Sequence, residues 1–104
     1  MSGTYHRVLK LADLPTGTKK SVQVGSQCVL VCNPAEKLYA VSGMCSHQMQ
    51  PLEKGRMTAT YIVCPTHGTR FDLATGKQMN PPAFKPIATF PVRVVDEWIE
   101  VLVE

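Results

Sequence analysis

A chain of 104 residues with 44% apolar content suffices for one domain with a real core and is too short for two. No stretch approaches the roughly 20 apolar residues of a membrane span, and the first residues, Met1 to Arg7, lack the apolar segment of a secretory signal, so the expected compartment is the cytoplasm. Lysine and arginine exceed aspartate and glutamate by 3, with Lys19-Lys20 the only adjacent basic pair; this argues against nucleic acid and fits a docking partner with an acidic face.

The apolar pattern is one of short strands between turn residues. Tyr5 to Leu9 reads as a first strand, ended by the turn residues Asp13 to Gly17. Lys19 to Val24 alternates Val22 and Val24 with polar neighbours, as a half-buried strand does. Cys28 to Cys32 is the longest uninterrupted apolar run; it is apolar on both faces and stops at Asn33-Pro34, with Leu38 to Val41 as its hairpin partner. Tyr61 to Val63 and Thr69 to Leu73 form a further pair. Pro81-Pro82 forces an extended crossing loop. Ile87 to Val95 and Trp98 to Val103 flank Asp96-Glu97, a two-residue hairpin connection, and Pro91 requires an edge or a bulge in the first of them. No segment of ten or more residues has helical periodicity. The expectation is an all-β antiparallel sandwich or barrel.

Chemistry concentrates in Cys45-Ser46-His47 and Cys64-Pro65-Thr66-His67, whose inner residues His47 and Cys64 are separated by the sixteen residues 48–63. Each segment offers one thiolate and one imidazole within a single turn, and Gly43, Pro65 and Gly68 supply loop chemistry. Two such loops facing each other make a site of two sulfur and two nitrogen donors. A zinc ion takes two Cys and two His tetrahedrally; a [2Fe-2S] cluster takes the cysteines on one iron and the histidines on the other. Zinc fingers keep like ligands together, whereas each loop here mixes them, which suits a two-iron site.

The pattern Cys45-x-His47, sixteen residues, then Cys64-x-x-His67-Gly68 resembles the signature of Rieske iron–sulfur proteins. With the strand-rich N-terminal third, the Pro81-Pro82 loop and the final hairpin, most of the chain is similar to the soluble Rieske-type ferredoxins of bacterial aromatic-ring oxygenases. The resemblance implies a Rieske-like antiparallel β-sandwich or barrel over residues 1–104, with cluster-binding loops at about 43–51 and 64–69. It also implies one Rieske-type [2Fe-2S] cluster, with Cys45 and Cys64 on the inner iron and His47 and His67 on the outer, solvent-near iron. The implied role is that of a monomeric one-electron carrier between an NAD(P)H-dependent flavoprotein reductase and the terminal oxygenase of an aromatic-ring-hydroxylating dioxygenase system, with no catalysis of its own. A nitrite reductase small subunit and a monooxygenase ferredoxin are the related alternatives; a structural zinc module is the alternative of another class.

Respiratory members clamp their two loops with a disulfide, at positions that match Gln50 and Thr66 here, so no clamp is expected. In high-potential relatives a serine and a tyrosine hydroxyl bond to sulfur, and the matching residues are Thr69 and Phe71. A midpoint potential near the low end of the Rieske range, about −150 to +300 mV, follows. The potential is also expected to fall as pH rises through the oxidised-state ionisation of His47 and His67.

The remaining candidates have plainer readings. Cys28 and Cys32 share a strand face about 13 Å apart at roughly 3.3 Å per residue, too far to chelate one ion. They read as buried small apolar residues. His6 reads as a surface residue, Gly68 and Gly76 as turn residues, and Trp98 as packing. Met44, Met49, Met57 and Met79 are gap-fillers or an apolar collar for the cluster, and Asp72 needs no catalytic role.

Overall fold

A computed structural model describes residues 3–45, 51–65, 68–80 and 85–103. Nine strands follow in chain order: β1 (Thr4–Lys10), β2 (Thr18–Val24), β3 (Gln27–Asn33), β4 (Tyr39–Ser42), β5 (Tyr61–Val63), β6 (Arg70–Asp72), β7 (Thr89–Phe90), β8 (Val92–Val95) and β9 (Trp98–Val103). The only helix among the described residues is a 3₁₀ turn at Leu11–Asp13, which begins two residues before the turn expected from Asp13 to Gly17. Among the described residues every strand pairing is antiparallel, in sheets of order β1-β9-β8, β2-β3-β4-β7 and β5-β6.

The three sheets enclose two cores, and β3 explains why. Its side chains alternate between faces. Val29 and Val31 join Leu9, Leu14, Val24, Ala40, Ile99, Val101 and Val103 in the core shared with the β1-β9-β8 sheet. Leu30 and Cys32 point the other way, into a core with Val41, Leu52, Ile62, Phe71, Leu73 and Ile87. A strand covered on both sides must be apolar throughout, and that is the property of the run Cys28 to Cys32. Burying each of the valine, leucine, isoleucine and phenylalanine side chains among them contributes about 1.5–3 kcal/mol. The second core carries the candidate site.

The segment expected as one strand, Ile87 to Val95, is two. Thr89–Phe90 pairs with β4, and Val92–Val95 pairs with β9 in a different sheet. Pro91 marks the crossing. Proline has no N–H to continue either ladder, but its carbonyl still accepts from Leu102 N–H at 2.9 Å. Both pieces are edge strands, as proline requires. The Asp96-Glu97 connection is a two-residue turn with both residues at positive φ, 52° and 69°, and Val95 opposite Trp98. This is the primed geometry that matches the strand twist, taken without glycine.

The outer face of the β1-β9-β8 sheet is held by charge. Glu100 on the central strand lies opposite both Arg7 and Arg93. Arg93 donates to Glu100 Oε1 from Nε and Nη2, each at 2.8 Å, and Arg7 Nε stands 3.5 Å from Oε2. Trp98 packs beneath Arg7 and Lys10, 5.5 and 5.6 Å from the ring centre. His6 is exposed.

Candidate metal centre

The first loop grows out of the β3–β4 ladder. Gly43 N–H donates to Cys28 C=O at 2.9 Å, extending that ladder one residue beyond Ser42. Gly43 C=O then accepts from Leu52 N–H at 2.8 Å, and Met44 bridges Pro51, so the chain closes into a neck on either side of 45–50. Ser42 Oγ accepts from Met44 N–H at 3.2 Å and steadies the turn into that neck. Gly43 is required by space. A side chain there would run into Cys28 Sγ and stand 3.3 Å from Cys28 O. Cys45 leaves the neck inward and is 1% exposed.

The second loop is the tip of the β5–β6 hairpin. Past the pair Val63–Arg70, Cys64 N–H donates to Thr69 C=O at 2.8 Å, and Gly68 N–H donates to Cys64 C=O at 3.0 Å. These two bonds bend the chain back within four residues, and Gly68 takes the left-handed φ of 78° that the return needs. Cys64 is 2% exposed. Flanking segments widen the hairpin: Val63 N–H donates to Arg56 C=O at 2.8 Å, and Asp72 N–H donates to Lys77 C=O at 2.9 Å.

Both necks deliver their cysteines into one apolar cluster, with Leu52, Ile62, Phe71, Leu73 and Ile87 around them and Met57 packed against it. None of the four cysteines is in a disulfide. Cys28 and Cys32 lie on β3, opposite Gln23 and Lys19 respectively, and Cys32 belongs to the same cluster. Burial pushes the Cys32 thiol up to about 12, with a lesser opposing effect from Lys19, so it is a neutral core group. Asp72 Oδ1 accepts from Ala74 N–H at 2.8 Å and Thr75 N–H at 3.3 Å, which makes it a turn former. Met44 is half-buried, and Met79 is 49% exposed. His47, His67, Gln50, Thr66, Met49 and the Pro81-Pro82 pair lie outside the described residues.

Two reduced thiols buried together in an apolar setting make a donor set for a soft metal centre. The model of the Rieske [2Fe-2S] domain matches residues 4–91. The chain belongs to the Rieske [2Fe-2S] family. Its cofactor is one Rieske-type [2Fe-2S] cluster. The chain is 32% identical over 84 residues to the ferredoxin component of naphthalene 1,2-dioxygenase/salicylate 5-hydroxylase systems of a Ralstonia species, covering 81% of each chain. Among solved structures it is similar to the ferredoxin of carbazole 1,9a-dioxygenase from Nocardioides aromaticivorans IC177. The TM-score is 0.88 at 33% identity, with 94% of this chain and 96% of that one covered. A ferredoxin chain solved in a complex of reduced oxygenase and oxidized ferredoxin in carbazole 1,9a-dioxygenase matches with a TM-score of 0.87 at 28% identity, covering 93% and 91%.

The described cysteines fit the Rieske cluster. Two thiolates buried without a cation carry a large desolvation cost. Two ferric ions, two sulfides, two thiolates and two neutral imidazoles sum to no net charge, so the assembled group suits this apolar cluster far better than bare thiolates. Phe71, fully buried in the same cluster, brings no hydroxyl to it, and Thr69 is fully buried with its carbonyl engaged by Cys64 N–H. The sequence reading passed over two neighbours that shape these loops. Asn80 bonds to Gly68 and Arg70, and its signal was an Asn directly before a proline pair. The close contact of Gly43 with Cys28 has no signal in sequence, because it is made between strands.

Proposed function

We propose that Cys45 and Cys64 hold one iron of the cluster and His47 and His67 the other, and that the chain carries single electrons in an aromatic-ring-hydroxylating dioxygenase system. It takes them from an NAD(P)H-dependent flavoprotein reductase and passes them to the terminal oxygenase, where the chemistry on substrate occurs. When bound, the cluster supplies reversible one-electron storage; a neutral oxidised centre accepts an electron more readily than a four-thiolate dianion. The chain's own part is to bring two thiols together from two necks, surround them with aliphatic and aromatic side chains, and exclude water. The observation that carries this reading is that Cys45 and Cys64, each no more than 2% exposed, belong to one buried apolar cluster and each stands at the base of one of the two loops.

The whole chain acts as one domain, a monomer of the cytoplasm; the radius of gyration of 12.8 Å supports one compact unit, since about 13 Å is usual for 100 residues. A net charge of +3 favours an acidic docking face on the partners. Iron and acid-labile sulfide analysis, with EPR of the dithionite-reduced protein, tests the assignment. Two irons, two sulfides and a mixed nitrogen and sulfur signal are expected, and loss of the cluster in Cys45→Ser and in Cys64→Ser. A colourless zinc protein would overturn it. Turnover on mixing with reductase and oxygenase components, dependent on this chain, tests the role.

A further inference from the structure

A side chain from outside, that of Asn80, fastens the hairpin that presents Cys64. Its neighbour, residues 77–79, pairs with β6 through Asp72 N–H to Lys77 C=O and Met79 N–H to Arg70 C=O, the latter at 2.8 Å. An antiparallel ladder would complete that pair with Arg70 N–H to Met79 C=O. Instead Arg70 N–H donates to Asn80 Oδ1 at 2.8 Å. Arg70 Nε approaches the same oxygen at 3.4 Å, and Asn80 Nδ2 donates to Gly68 C=O at 3.3 Å. The carboxamide thus straddles buried Thr69, using its acceptor on one side and its donor on the other. Gly68 and Thr69 are also the residues whose backbones close the turn on Cys64. No disulfide joins the two loops.

We propose that Asn80 is a positioning residue for the second ligand loop, a non-covalent latch that holds residues 68–70 where their backbone bonds to Cys64 present it to the cluster. This rests on the reading of Cys64 as a ligand. Only a carboxamide of this length serves both ends: aspartate keeps the acceptor for Arg70 and loses the donor to Gly68, and alanine loses both. The latch also orders Arg70, whose guanidinium lies 5.5 Å from the Tyr61 ring centre beside the loop.

The test compares cluster-loaded wild type, Asn80→Ala, Asn80→Asp and Cys64→Ser. Loss of visible absorbance in excess EDTA is expected to run at least tenfold faster in Asn80→Ala, with only a few degrees of change in Tm. Hydrogen exchange read by mass spectrometry over residues 68–72 should quicken in Asn80→Ala and stay slow at Arg70 in Asn80→Asp. The EPR signal of the reduced protein should broaden in Asn80→Ala, and the midpoint potential should fall in Asn80→Asp, where a negative charge is added. A wild-type rate of cluster loss with an unchanged EPR signal in Asn80→Ala, while Cys64→Ser holds no cluster, overturns the latch alone. A full cluster in Cys64→Ser overturns the ligand reading beneath it.

Discussion

Replacing Gly43 by alanine should injure the first loop through a contact outside it. The new methyl group would collide with Cys28 Sγ on β3, while the backbone of Gly43 is not in the left-handed region, so conformation by itself does not oppose the change. Forced overpacking of this size costs about 2 kcal/mol, a fall of about 10 °C in Tm for a chain of this length. Removing the obstacle should remove the cost. In a Cys28→Ala background the methyl group still stands 3.3 Å from Cys28 O, a tight contact worth a few tenths of a kcal/mol, about offset by the lower entropy of the unfolded alanine chain. Adding Gly43→Ala there should therefore cost about 0 kcal/mol, and the double-mutant cycle should give a coupling of about 2 kcal/mol. Unfolding with a bound cofactor is not two-state, so Tm is compared among the four proteins at one scan rate. Cluster loss in EDTA is followed alongside, because Gly43 C=O holds the neck through Leu52 N–H. An equal penalty for Gly43→Ala with and without the Cys28 sulfur refutes the steric account.

Other consequences can be measured separately. Phe71→Tyr places a hydroxyl beside the cysteines and should raise the midpoint potential by about 40 mV for each kcal/mol by which its hydrogen bond favours the reduced state; an unchanged midpoint shows that the hydroxyl reaches no sulfur. Cys32 is neutral in the fold up to about pH 12, whereas the unfolded thiol ionises near 9.0, so the folded state binds the extra proton between those values and stability must fall as pH rises through that window. Cys32→Val should flatten the decline of stability, and so of Tm, between pH 9 and pH 11, a slope of at most about 1.4 kcal/mol per pH unit; equal slopes in both proteins would place the cause elsewhere. Glu100→Gln should lower stability by about 1 kcal/mol, since the two arginines are half exposed and water screens the pair, and should leave the midpoint potential where it is. A shifted midpoint would mean that the outer sheet is coupled to the loops.

Strand positions were legible because alternation and turn residues are local: the pairings of β3 with β4, β5 with β6 and β8 with β9 follow from them. The Asp96-Glu97 turn was legible for the same reason. Pro91 announced a break, but no local signal says that the chain changes sheets there, because that depends on which edges stand nearby. The cysteine and histidine spacing pointed to a mixed-ligand iron–sulfur centre, and the family match supports that class of centre. The burial of Cys45 and Cys64 in a common cluster emerged only with the fold.

By itself the sequence determined the alternation of strands, the donor types and their grouping into two turns, since each of these is set by neighbours along the chain. Tertiary structure decided that β3 separates two cores, that Cys28 limits position 43, and that Asn80 completes the hairpin carrying Cys64. Those are contacts between segments distant in sequence or across a ladder's end, where steric exclusion and hydrogen-bond geometry act through space and leave no periodic mark on the chain.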